Sequence, residues 1–263
     1  MNLLEKIIAS KRTEVAIKRK ELPLDLLTQL PLFEAPAKSL KSAIKNGSGI
    51  IAEFKRKSPS AGEIQDRNIK EVLSFYNQNK VSGYSILTDK ERFGGTLNDL
   101  ESANKSAAGP VLRKEFIVDE YQVFEAKAFG ADAILLIAEA LDEYHVTHLT
   151  TIAQSIGLEV LIELHSAEQI DKLNDSFDLI GVNNRNLSTL KTDIAASEDL
   201  IKYLPYQAVK ITESGIKHPD ELRSLYALGY EGCLIGEAIL DNPGLLPQLT
   251  AAANNLKMVG YEA

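Results

Sequence analysis

Ile51-Ala52-Glu53-Phe54-Lys55-Arg56-Lys57-Ser58-Pro59-Ser60 is the stretch on which the fold turns. Its apolar start reads as a β-strand, which gives way to alternating charges and breaks at a proline. Successive side chains on a strand point to opposite faces, so Glu53 and Lys55 share one face while Phe54 takes the other. A carboxylate and an amine are thereby aimed at one place, although the decapeptide alone would also fit a strand running out into solvated basic residues. An open doubly wound sheet carries a Gly-rich phosphate loop after its first strand; here Lys-Arg-Lys-Ser-Pro stands in that place. That substitution turns the reading toward a closed barrel.

Outward from this strand, short β-rich apolar runs alternate with amphipathic segments, the signature of repeated βα units on a parallel sheet. Eight runs are expected as strands, over 49–54, 84–88, 110–114, 132–138, 158–164, 178–182, 208–213 and 232–236. Eight is the number that closes a barrel. Helical patterns fall between them over 96–105, 119–129, 142–156, 166–173 and 218–228, several opening on a Thr, Asp or Ser able to cap a helix. Gly130, Gly157 and Gly229 come just after three of these segments, where a left-handed terminating residue is wanted. The expected architecture is α/β, a (β/α)8 TIM barrel spanning 1–263 as one domain, with residues 1–48 an added helical segment packed on it. In that segment Leu3, Leu4, Ile7, Ile8 and Val15 share one face at helical spacing, and Lys18, Arg19 and Lys20 suit a helix C-terminus. Pro23, Pro31 and Pro36 divide the remainder of the segment. Lys210, inside the seventh strand, has no reading at this level.

Composition bounds the function. The 263 residues, 44% hydrophobic, suffice for one large α/β barrel. The lone Cys233 lies in an apolar run and reads as a buried, inert thiol. Charges interrupt the N-terminus, so no signal peptide is expected, and no run is long enough to span a bilayer. The expected location is the cytoplasm. A net charge of -8 argues against a nucleic-acid binder and requires any anionic ligand to find a locally basic pocket.

Barrel active sites form at the C-terminal ends of the strands. Standing there are Glu53, Lys55 and Ser58 after the first strand, Asp89 and Phe93 after the second, Lys114 after the third and Glu163 after the fifth. The sixth offers Asn183 and Arg185, the seventh Glu213, Ser214 and Gly215, and the eighth Gly236 and Glu237. Any one of these could be solvated surface. Together, two lysines and an arginine at the mouth of an acidic protein point to an anionic ligand, and Glu53 and Glu163 supply carboxylates that those cations keep ionised. Phosphate is commonly held between the loops after strands seven and eight, where Gly215 and Gly236 would let backbone N–H groups approach an oxyanion. Glu237 would be unfavourable there unless its side chain points away, as expected. His145 and His148, three apart, read as an exposed helix face rather than a metal site. No nucleophile elbow, P-loop or dinucleotide fingerprint occurs.

The motifs Glu53-Phe54-Lys55-Arg56-Lys57-Ser58-Pro59-Ser60, Leu112-Arg113-Lys114-Glu115-Phe116-Ile117, Leu161-Ile162-Glu163, Gly181-Val182-Asn183-Asn184-Arg185-Asn186-Leu187 and Glu213-Ser214-Gly215-Ile216 resemble those of the indole-3-glycerol phosphate synthases, in family order across the whole barrel. The resemblance implies ring closure, decarboxylation and dehydration of 1-(2-carboxyphenylamino)-1-deoxyribulose 5-phosphate, in tryptophan biosynthesis, with no metal or organic cofactor. It also implies Lys114 as general acid, its pKa lowered by cationic neighbours such as Lys55 and by partial desolvation, and Glu163 as base of the dehydration. Lys55 would be an acid in that step or a partner of the substrate carboxylate, while Glu53 and Asn183 orient the reacting groups. Ser58, Phe93, Arg185, Ser214, Gly215, Gly236 and Glu237 would line the ligand, with Phe93 against the anthranilate ring. The resemblance places the N-terminal helix over the strand C-terminal ends, beside the loop 58–68. Glu237-Ala238 departs from the hydroxyl-bearing pair of many relatives and removes a side-chain contact to phosphate. A related isomerase family of the same pathway uses a cysteine at the first strand and an aspartate at the sixth, where Glu53 and Asn183 stand here. A non-catalytic sensor would not require both Lys114 and Glu163. The expected partner is a small phosphorylated substrate, with no nucleic acid and no membrane, and the assembly a monomer or weak homodimer.

Overall fold

The computed structural model describes residues 3–57, 67–173, 177–187 and 189–259. Eight parallel strands, β1 (Ile50–Phe54), β2 (Gly83–Leu87), β3 (Val111–Lys114), β4 (Ala133–Ile137), β5 (Glu159–Leu164), β6 (Leu179–Asn183), β7 (Val209–Glu213) and β8 (Gly232–Ile235), pair in sequence order. β8 returns to β1, with Ile51 opposite Leu234, and closes the barrel. The expected strands all form, within one residue at either end.

The helices are α1 (Leu3–Glu21), α2 (Leu24–Leu27), α3 (Leu40–Asn46), α4 (Ile69–Gln78), α5 (Lys90–Phe93), α6 (Leu97–Ser106), α7 (Glu120–Ala128), α8 (Glu143–Ser155), α9 (Ala195–Leu200), α10 (Pro219–Ala227), α11 (Glu237–Asp241) and α12 (Leu245–Val259). Between β5 and β6 the connection is a 3-10 helix, Ala167–Lys172, whose preceding Ser166 makes no side-chain cap, unlike Thr96, Asp119 and Asp142. Gly130, Gly157 and Gly229 all take positive φ, as expected for chain reversal after a helix. Among the described residues no helix is long and apolar enough to cross a membrane.

Strand parity sorts the core into two layers. Ile50, Ala52 and Phe54 pack outward against the helices, with α4 contributing Leu73 and Tyr76, whereas Ile51 joins Leu112, Leu135, Leu161, Leu179 and Ile211 inside the barrel. Following that inner parity to the top of each strand reaches Glu53, Lys114, Glu163, Asn183 and Glu213, each an even number of residues beyond an inner apolar residue. The pattern that fills the barrel therefore also aims five polar side chains into its mouth. Lys210 has the opposite parity: its Nζ donates to the Tyr206 carbonyl at 3.3 Å and lies 5.6 Å from that ring's centre.

The N-terminal segment covers both ends of the barrel. Fully buried Leu40 and Ile44 of α3 plug the floor, and Leu4 and Ile7 of α1 join the inner cluster at the mouth. Cys233 is buried, and burial pushes its thiol up to about 12, as an inert core sulfur requires.

Candidate active site

Lys114 is the centre of the mouth. Its Nζ donates to Glu213 Oε2 at 2.5 Å and to Glu163 Oε2 at 3.2 Å, and Glu53 Oε2 lies 4.0 Å away. Glu53 in turn holds Lys55 Nζ, 3.1 Å from Oε1. Three carboxylates around one ammonium overturn the expected pKa. Burial by itself lowers Lys114, but the charges of Glu213, Glu163 and Glu53 outweigh it and hold the amine above the ordinary lysine range. The sequence showed the cationic neighbour, Lys55, but not that Glu53 neutralises it.

The carboxylates divide the remaining protons. Glu53 is desolvated, but Lys55 and Lys114 more than compensate and keep it below the usual range. Glu163 and Glu213 titrate as a pair beside Lys114. Burial, together with the charge of Glu163, pushes Glu213 up to about 8, while Lys114 and His165 overcome desolvation and hold Glu163 low. Glu213 Oε1 has no hydrogen-bond partner among the described residues. Glu213 stood at a strand end and inside a quoted motif, yet sequence reasoning gave it no role. Its shared parity with Ile211 was the available signal. Two glycines make room for these acids: a Cβ at Gly181 would strike Glu213 Oε1, and one at Gly236 would strike Glu53 Oε1.

Two adjoining cavities share Glu53, Lys55, Arg185, Leu190 and Ser214 as their seam. The first, of about 210 Å³, is walled by apolar side chains including Leu4, Ile7, Phe93, Phe116 and Leu135, with Lys114, Glu163 and Asn183 among its lining residues. The second, of about 590 Å³, is lined by Gly215, Lys217, Gly236 and Glu237. Ser214 and Gly215 both take positive φ, so two successive residues turn the chain sharply between the cavities. Asn183 Oδ1 accepts the Arg185 backbone N–H at 3.0 Å, fixing the turn that carries the guanidinium, and Arg185 Nη2 reaches Glu237 Oε2 at 3.3 Å. Glu237 thus leans onto Arg185. Every expected site residue lines one of the two cavities except Ser58, which lies outside the described residues.

Phe93 is held from two sides. Its carbonyl accepts the Arg56 and Lys57 backbone N–H groups, and its short helix α5 is capped by Asp89, which accepts the Arg92 N–H at 2.7 Å. Asp89 and Glu115 are both buried, and Lys11 of α1 neutralises them at 3.0 and 3.1 Å. Sequence reasoning missed Lys11, although it extends the buried series Leu4, Ile7 and Val15 at helical spacing. His145 and His148 lie on the exposed face expected of them, beside Asp142 and Glu120.

Removing residues 3–21 therefore takes Leu3, Leu4 and Ile7 from the wall of the first cavity and leaves Asp89 and Glu115 without Lys11. The expected result is a lower melting temperature together with a raised KM, measured where the truncated barrel stays folded. An unchanged KM would show that α1 only stabilises.

A family model described as indole-3-glycerol phosphate synthase matches residues 4–250. Curated relatives carrying that same description include one from Bacteroides thetaiotaomicron, 44% identical over 245 residues that cover 92% of this chain and 94% of the relative. One from Thermoanaerobacter pseudethanolicus is 38% identical over 240 residues, covering 90% and 92%. A third, from Aliarcobacter butzleri, is 36% identical over 261 residues, covering 97% and 99%.

Proposed function

The chain belongs to the indole-3-glycerol phosphate synthase family, and from that premise we propose how its side chains divide the work. The reaction is the ring closure, decarboxylation and dehydration of 1-(2-carboxyphenylamino)-1-deoxyribulose 5-phosphate to indole-3-glycerol phosphate in tryptophan biosynthesis. The observation that carries the assignment is Lys114 Nζ between Glu213 and Glu163, at the edge of an apolar cavity that joins a second, glycine-lined one.

The substrate has the same two halves. Its carboxyphenyl ring suits the cavity of Phe93, Phe116, Leu4 and Ile7, and its phosphate suits the cavity of Gly215, Gly236 and Lys217. The ketone then lies near the seam. As the ring carbon attacks, Lys114 donates a proton to the ketone oxygen. The surrounding carboxylates guarantee that this proton is present at neutral pH, and the developing alkoxide is a far stronger base than an amine, so transfer stays downhill. Lys55 faces the substrate carboxylate until it departs as CO2. In the dehydration, Lys114 protonates the leaving hydroxyl and Glu163, held ionised, removes the proton from the adjacent methylene. Glu213 steadies the ammonium, Glu53 and Asn183 orient the reacting groups, and Arg185, Ser214 and Glu237 complete the polar wall.

The protein works in the cytoplasm as a monomer or weak homodimer. Turnover of the carboxyphenylamino substrate by the purified chain tests the assignment, with product identified by mass. A folded chain that leaves this substrate untouched would refute it.

A further inference from the structure

Inner parity on β5 does not stop at Glu163. Two residues on, the His165 side chain is 6% exposed, with Nε2 3.3 Å from Glu163 Oε1. Its other nitrogen, Nδ1, lies 3.6 Å from Glu139 Oε2, on the turn after β4, and the Glu139 side chain is 32% exposed. Neither ring nitrogen makes a hydrogen bond of ordinary geometry among the described residues. The groups facing the ring are Glu163 from β5 and Glu139 from β4, with Lys114 of β3 one contact beyond Glu163, while Gln169 of the 3-10 helix accepts only the His165 backbone N–H. A buried imidazole bridging a half-exposed carboxylate and a catalytic one has the geometry of a proton carrier.

The reaction needs such a carrier. The ketone oxygen leaves as water and so collects two protons, while the methylene gives up one and the substrate carboxylate, leaving as CO2, gives none. One proton per turnover must come from solvent. Lys114 spends its proton on ring closure and must regain one before the hydroxyl can leave, at a moment when substrate fills the mouth and Glu163, 2% exposed, is cut off from water.

We propose that Glu139 and His165 form a proton relay from solvent to Glu163, and through it to Lys114, between ring closure and dehydration; the proposal rests on the functional reading above. A proton on Glu139 passes to His165 Nδ1, His165 releases its Nε2 proton to Glu163 Oε1, and Glu163 hands one across to the neutral Lys114 amine. Glu163 is then ionised again, ready to take the methylene proton, which restores Lys114 at the end of the cycle.

The test is single-turnover kinetics on the full chain carrying His165→Gln or, at the half-exposed end, Glu139→Gln. Ring closure uses a proton already on Lys114, so CO2 release should keep its wild-type rate and KM should not move. Dehydration should slow by about tenfold or more in His165→Gln, with the hydroxylated indoline accumulating. Imidazole in the buffer should restore it, and Glu139→Gln should show the same defect in milder form. Wild-type dehydration in both variants, or a loss that imidazole does not lift and that comes with slower CO2 release or a raised KM, would overturn the relay. Failure of the functional reading looks different: the unaltered chain would then not convert the substrate at all.

Discussion

Lys114→Met should lower turnover by about 100-fold or more, the scale of one positioned general acid. Methionine keeps an unbranched apolar stem of similar reach and removes the group proposed to protonate the ketone. Substrate should still bind, because both cavities keep their remaining walls, so the loss falls on kcat rather than KM. The same replacement has a stability signature. Lys114 lowers Glu53, Glu163 and Glu213 alike, so without it all three folded-state pKa values rise, Glu213 from a value that already stands at about 8. A raised folded pKa contributes stability below the unfolded value and loses it as pH climbs through the folded one. The variant should therefore melt close to wild type near pH 4.5 and fall progressively below it toward pH 8. Near-normal turnover in the variant would remove Lys114 from the acid role, and a pH-independent gap in melting temperature would contradict the three-carboxylate picture.

Glu163→Gln should split the reaction. If Glu163 serves only the dehydration, the variant still consumes substrate and releases CO2, and the hydroxylated indoline accumulates, visible by mass spectrometry of a quenched single turnover. Gln keeps the shape and the hydrogen-bonding reach toward Lys114, 3.2 Å away, while abolishing the base. The net rate of indole formation should drop by about 100-fold or more. Unlike the His165→Gln defect, this one should not respond to imidazole, because the missing group is the base itself. Unreacted substrate with no CO2 would move Glu163 to the earlier step.

Much of this was legible because two periodicities carry it. Period two on the strands fixed both the barrel and the direction of Glu53, Lys114, Glu163 and Asn183, and period 3.6 on residues 3–15 fixed the buried face of α1. What the sequence hid is pairwise. Lys55 lies two residues from Glu53 and close to Lys114 in the fold, so it read as a cation acting on Lys114; only the folded geometry shows Glu53 absorbing its charge and Glu213 arriving from 99 residues away to raise the amine instead of lowering it. Lys11 was illegible for a related reason: a lysine on an apolar helix face looks like an interruption until Asp89 and Glu115 are seen beneath it. Gly236 read as a phosphate glycine by its position after β8, and the sequence did not show that a side chain there would also strike Glu53. Contacts between distant strands govern Lys114, Glu163 and Glu213, whereas Glu53 is held low first by its near neighbour Lys55.

The central claim is that this mouth closes an indole ring. With no tryptophan among the 263 residues, the protein contributes little fluorescence of its own in the indole band. Addition of 1-(2-carboxyphenylamino)-1-deoxyribulose 5-phosphate to the purified chain should give indole fluorescence that grows in step with CO2 release, one product for each CO2 liberated. CO2 without fluorescence, or neither signal from a folded chain, would contradict it.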